Sequence, residues 1–269
     1  MISFMAFLKS YLALSSDSVS LILSSTLCTH KIRLIINVLV WNMDRVVVSI
    51  GGSVLIPEKD DAKYIKALAD MLRDVSKEVE IMVVCGGGKV SRYYSKTGKE
   101  LGGTTYQLDE LGIGVTKVNA KLLDIALGDA GIGKVPQTAE ECASERRIGK
   151  VPVMGGTEPG HTTDAVAAMI AKACDADRIV NASNVDAVYT DDPRTNPNAK
   201  RLDKITIDDL EEIVYDEHDA CRSSVFDPLG VKIAKEHRID LLMVDGRDLV
   251  ELKNAILGKE INGTFVNSQ

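Results

Sequence analysis

The sequence predicts an α/β protein built on a mainly parallel sheet covered by helices on both faces, and three observations carry that prediction. Short apolar runs rich in β-branched residues alternate with amphipathic helical stretches along most of the chain. The apolar runs lack the strict polar alternation of a half-exposed sheet, as expected of strands buried on both sides. Glycine turns close several of these runs, and the carboxyl ends of strands are where open sheets of this kind bind ligands.

The elements follow in order. "RVVVSI" (45–50) is a β-branched run ended by Gly51 and Gly52. A helix over 61–78 comes next, with Ile65, Leu68, Ala69 and Leu72 on one face. "EIMVVC" (80–85) then leads through three glycines into the helical "KVSRYYSKTGKEL", and "NAKLLDIAL" (119–127) reads as a further helix with Gly128 as its terminator. "VPVMGG" (151–156) precedes a helix in "TTDAVAAMIAKACDA", "RIVNASNV" (178–185) is another strand, and "IDLLMVDG" (239–246) leads into "DLVELKNAIL".

Composition narrows the function. A chain of 269 residues, 45% hydrophobic, can bury a full core. A formal charge of -7 argues against nucleic-acid polymers and anionic membranes, whose recognition rests on clustered Lys and Arg. Five cysteines are widely spaced with no CxxC pair, which fits free thiols in a reducing cytoplasm. Residues 1–42 differ in kind: they are rich in Ser and Leu, and charged residues keep every apolar run below the roughly 18 residues of a spanning helix. No cleavage-site pattern follows their apolar part. They are expected to be an extension from an upstream start codon, outside a domain of residues 43–269.

Three polar constellations are candidates for chemistry. Gly51-Gly52-Ser53 and Gly86-Gly87-Gly88 would present backbone N–H groups to an anion at helix starts, with Lys89 and Arg92 close behind the second turn. Arg92 could fork onto phosphate oxygens. "GGTEPGHTTDAVAA" (155–168) combines a loosened loop with Thr162 and Thr163 at a helix start and Asp164 in its first turn, a pattern that also makes an ordinary helix cap. "NASNVDAVYTDDPRTNPNAK" (181–200) is a polar, turn-rich segment. Standard nucleotide motifs fail: a G-x-G-x-x-G from Gly86 meets Ser91, and the near P-loop "GDAGIGKV" (128–135) has Val135 where a hydroxyl must stand.

The order of "SIGGSVL", "VVCGGGKVSR", "DELGIGVTKVNAKLL", "VPVMGGTEPGHTTDAVAA", "NVDAVYTDDP" and "SSVFDPLGVKIA" resembles the amino acid kinase family, most closely its archaeal uridylate kinase branch, over about residues 44–266. The resemblance implies a three-layer αβα sandwich around a largely parallel central sheet, the amino acid kinase fold, with an acceptor-binding half to about residue 165 and an ATP-binding half after it. It implies transfer of the ATP γ-phosphate to UMP with Mg2+ held mainly by phosphates and water, in a cytoplasmic homo-oligomer, a hexamer. Gly51, Gly52, Gly87 and Arg92 are then expected at ATP, with Ser183, Asn184, Tyr189 and Asp192 around the adenine nucleotide. Gly86, Asp109 and the loop Thr157, Glu158, Pro159, Gly160, His161, Thr162 and Thr163 are expected at UMP. Asp164 takes the place of the family's organising aspartate.

One position departs from much of the family: Ser49 stands where a first-strand lysine is common. The positive charge must come from elsewhere, with Lys232 first, then Lys89 and Arg92, while Asp227 would contact the metal or orient Lys232. Phosphoryl transfer needs charge neutralisation and in-line positioning more than it needs a base. Two alternatives remain: a family enzyme acting on a carboxylate or isopentenyl phosphate, and a non-enzymatic nucleotide sensor or storage protein.

Overall fold

In chain order the strands are β1 (Arg45–Ile50), β2 (Glu80–Cys85), β3 (Val153–Met154), β4 (Arg178–Ser183), β5 (Val188–Tyr189), β6 (Arg201–Leu202), β7 (Lys204–Thr206), β8 (Asp240–Asp245) and β9 (Thr264–Asn267). Seven of them form one sheet in the order β3-β2-β1-β4-β8-β9-β7, while β5 and β6 pair as a separate antiparallel hairpin. Within the large sheet only the β8–β9 pairing is antiparallel. The computed structural model describes residues 43–57, 61–191, 195–219 and 225–268, without the side chains of 216–219. The expectations for residues 1–42 and for Asp192 lie outside these residues.

The helices are α1 (Gly52–Leu55), α2 (Asp61–Val75), α3 (Gly88–Glu100), α4 (Thr105–Leu127), α5 (Ala139–Ser144), α6 (Thr163–Ala173), α7 (Ile207–Asp219), α8 (Pro228–His237) and α9 (Leu249–Ile256). Alternate side chains of β1 enter different cores, because successive strand residues point to opposite faces. Val46, Val48 and Ile50 join residues of α2, α4 and α9 in one core. Val47 joins α5, α6, α7 and α8 in the other. The result is the three-layer αβα sandwich around a largely parallel sheet.

Sequence-local chemistry sets the element ends. The Thr104 and Gln107 side chains form a reciprocal capping box at the start of α4. Asp227 accepts from the N–H groups of Leu229 and Gly230 at the start of α8, with Pro228 in its first turn. The 23-residue α4 ends at Gly128, whose φ of 56° suits glycine. The near P-loop is therefore a helix cap and loop, and its Lys134 lies 2.8 Å from Glu141 and 2.9 Å from Glu145.

Two elements differ from expectation. The run 151–156 supplies only a two-residue strand: Pro152 has no N–H for the ladder and contributes only its carbonyl, which accepts from Val83 N at 2.9 Å. The helix expected over 61–78 stops at Val75.

The topology fixes where a ligand can enter. From β1 the chain builds outward to β2 and β3, then returns to place β4 on the other side of β1. The carboxyl ends of β1 and β4 therefore form the switch point of the sheet. The first glycine turn follows β1, Ser183 closes β4, and the second glycine turn follows the adjacent β2.

Candidate active site

The two glycine turns meet each other. Gly86 N donates to Ile50 O at 2.8 Å, and Gly51 N donates to Ala182 O at 2.9 Å, so β1, β2 and β4 end in one hydrogen-bonded shelf. A Cβ on Gly52 would stand 2.1 Å from Gly88 N and 2.6 Å from Gly86 O. Glycine is required there because one backbone passes against the other. Gly88, at φ 63°, opens α3 in a conformation that L side chains rarely adopt. The turns and two helix starts thus concentrate backbone N–H groups and the positive ends of helix dipoles at the switch point.

Arg92 lies in the second turn of α3, exposed, and among the described residues nothing pairs with it. Its guanidinium is available to an anion.

On the other face of β1, the buried Ser49 hydroxyl donates to Asp164 Oδ1 at 2.8 Å. Asp164 sits in the first turn of α6, whose cap is the Thr162 hydroxyl, which accepts from Ala165 N. The Thr162 hydroxyl also donates to Asp227 Oδ2 at 2.8 Å, tying the starts of α6 and α8 together. Burial pushes the Asp164 carboxyl up to about 6; the Ser49 hydrogen bond opposes that shift and the charge of Asp227 adds to it. Asp164 keeps some solvent contact as a residue, although protein crowds its carboxyl. Ser49 thus supplies a dipole where a lysine would supply a full charge. Lys232 lies on the exposed side of α8, whose Val231, Ile233 and Ala234 face the core.

The acceptor-side loop is hung on α4. Asp109 Oδ2 accepts from Gly160 N at 3.0 Å, and Thr116 Oγ1 accepts from Gly156 N at 2.7 Å. Asn119 donates from Nδ2 to Gly86 O at 2.8 Å. One helix face therefore positions both the 155–163 loop and the second glycine turn. Glu158 and Gly160 are exposed, Thr157, Pro159 and Thr163 are half-buried, and His161 Nδ1 lies 3.3 Å from Glu158 Oε1.

The remaining candidates surround the end of β4. Ser183 exchanges hydrogen bonds with Val185, and Asn184 is exposed beside it. Tyr189, on the small hairpin, donates from its hydroxyl to Asp186 at 3.1 Å; desolvation first and Asp186 second push its phenol up. Arg247 forks onto Asp245 at the end of β8 and holds that carboxyl below its usual range. No cluster of three or more His, Cys, Asp or Glu that could hold a metal ion occurs among the described residues.

The family model for the amino acid kinase family matches residues 44–245. The chain belongs to the amino acid kinase family. It is 44% identical over 223 residues to a protein named uridylate kinase from Thermococcus kodakarensis, covering 82% of this chain and 99% of that protein. The uridylate kinase of Methanocaldococcus jannaschii is 42% identical over 225 residues, with the same coverage. Among solved structures, a uridylate kinase from Archaeoglobus fulgidus superposes with a TM-score of 0.73 at 37% identity, covering 82% of this chain and 99% of that one.

Within this member of the amino acid kinase family, sequence reasoning passed over two functional supports, Thr116 and Asn119. The signal was present: both polar residues fall on the buried face of α4 beside Ala120 and Leu123. A buried polar side chain must find a partner, and here the partners are the site's own loops.

Proposed function

We propose that this family member is a UMP kinase, transferring the γ-phosphoryl group of ATP to a phosphate oxygen of UMP. The observation that carries the reading is the meeting of the two glycine turns at the switch point, with the acceptor loop held beside them on α4. The identity to curated uridylate kinases over nearly their full length supports the choice of acceptor.

The new O–P bond forms from UMP as the bond to the β–γ bridging oxygen breaks, and ADP leaves with that electron pair. The acceptor phosphate is already ionised, so no base is required. What remains is to hold two polyanions in line and to neutralise charge as it shifts. Gly51, Gly52 and Gly87 line the ATP side, with Ser183, Asn184, Tyr189 and Asp192 around the adenine nucleotide, and Arg92 supplies a guanidinium. Gly86, Asp109 and the loop from Thr157 to Thr163 hold UMP. Asp164 and Asp227 orient cationic groups, and Lys232 reaches the phosphates from α8. Mg2+, when bound, would screen the phosphate charge, with Asp227 as the side chain that would contact it. The described carboxylates fit a site completed by phosphates and water, since Asp164 and Asp227 alone are too few to enclose the ion.

The free, buried Cys85, Cys142 and Cys174 support a reducing, cytoplasmic setting. No described helix is long and apolar enough to cross a membrane. The test is ADP release by the full chain with magnesium-ATP and, separately, UMP, CMP, AMP, isopentenyl phosphate, carbamate and N-acetylglutamate. Turnover that depends on UMP is expected. Turnover restricted to a different acceptor would overturn the assignment, and ATP binding without turnover would favour a sensor.

A further inference from the structure

The hairpin of β5 and β6 has two residues in each strand, too few to hold itself in place. It nonetheless carries Tyr189, whose hydroxyl is bonded to Asp186. Thr264, on β9, fastens it. That side chain is wholly buried, and its hydroxyl donates to Leu202 O at 2.6 Å and accepts from Val188 N at 2.8 Å. Val188 and Leu202 face each other across the hairpin, so a single hydroxyl holds one backbone group of each strand. Phe265 N, the next donor along β9, donates to Asp203 O at 3.0 Å. Val188 is buried in the core that α6 and α8 share, and Leu202 packs against the same core.

The strand itself has no use for the hydroxyl. β9 pairs with β8 and β7 through its backbone, and valine, which matches threonine in outline, would suit that ladder as well. A buried hydroxyl costs stability unless it is bonded, and both bonds here reach residues 62 and 76 positions away. Only the hairpin needs the oxygen.

We propose that Thr264 is a positioning residue for the phosphoryl donor: by pinning both strands of the hairpin to β9, it places Tyr189 at the adenine side of the site. This rests on the reading that puts Tyr189 at the adenine nucleotide. Tyr189 follows Val188 directly, and Arg201, its partner across the hairpin, directly precedes Leu202. Displacing the pinned pair therefore displaces the pair that bears the tyrosine. Arg201 also lies 3.5 Å from Asp186, the carboxylate that accepts from Tyr189, so ring, carboxylate and guanidinium form one unit. The 155–163 loop is held by α4 instead, which confines the effect of Thr264 to ATP.

Calorimetric titration of the full chain with magnesium-ATP and, separately, with UMP tests the proposal without requiring turnover. Thr264→Val keeps the outline of the side chain and leaves Val188 N and Leu202 O unpaired; it is expected to weaken ATP binding about tenfold and UMP binding less than about threefold. Thr264→Ser keeps the hydroxyl and is expected to bind ATP within about threefold of wild type. Leu202→Ala trims the apolar foot of the hairpin, is expected to weaken ATP in the same sense, and decides the question if Thr264→Val does not fold. Tyr189→Ala separates positioning from general loosening. It is expected to weaken ATP about tenfold in the wild-type chain but no more than about twofold in Thr264→Val, where the ring is already misplaced. Unchanged ATP affinity in Thr264→Val, equal loss of ATP and UMP, or the full cost of Tyr189→Ala in both backgrounds would overturn the role of Thr264. A Tyr189→Ala chain that binds ATP as wild type does would instead refute the adenine placement beneath it.

Discussion

Replacing Asp164 by Asn should stabilise the protein while destroying its activity, and the stabilisation should depend on pH. The Asp164 carboxyl titrates near 6 in the folded chain against 3.8 for the unperturbed group, mainly because it is buried. A folded pKa above the unfolded one means that ionisation opposes folding. The cost is absent below about pH 4, grows between 4 and 6, and is complete above 6. The full cost is about 3 kcal/mol, from 1.36 kcal/mol per unit. At pH 4.5 the same two pKa values leave a cost of only about 1 kcal/mol. Asn is nearly isosteric and can still accept from Ser49, so Asp164→Asn removes the ionisation cost and little else. Urea unfolding at pH 8 and pH 4.5 should therefore give a gain over wild type larger by about 2 kcal/mol at the higher pH. Any effect on the α6 dipole is small beside that difference. An equal change at both pH values, or a larger gain at pH 4.5, would refute the reasoning.

Three further substitutions separate the parts of the site. Gly52→Ala places a methyl group 2.1 Å from Gly88 N, so the shelf must separate and kcat/KM for ATP should fall by at least about a hundredfold in steady-state assays, with a lowered melting temperature. Asp109→Ala releases Gly160 N and, on the proposed reading, takes away the carboxylate that meets the ribose; the KM for UMP should rise about ten- to a hundredfold while that for ATP stays within about threefold. Lys232→Ala should lower kcat about a hundredfold with little change in the KM for UMP, and unchanged turnover would remove Lys232 from the mechanism.

How far the sequence carried the structure depended on whether a signal was local. β1, β2, β4 and β8 are continuous apolar runs, and α8 and α9 begin at aspartates that cap them, so each could be read from a few neighbouring letters. The glycine pattern identified both turns, but only the fold shows that Gly52 is needed because Gly86 and Gly88 pass against it. Thr116 and Asn119 escaped notice because their partners lie 40 and 33 residues away, and helical periodicity marks a buried face without naming what it meets. β9 is likewise defined by its partners, β8 and β7, more than by its four residues. The Ser49–Asp164 contact joins residues 115 positions apart, and it turned a missing lysine into a partly compensated carboxylate.

The central claim is that the phosphates of two nucleotides meet over the glycine shelf and exchange a phosphoryl group. The most direct test is to give the full chain magnesium-ATP labelled at the γ-phosphate together with UMP, and to follow the label. It should appear in UDP, in step with ADP, and the transfer should be lost in Asp164→Asn even though that variant is the more stable protein at pH 8. Label that stays in ATP or appears only as inorganic phosphate would contradict the account.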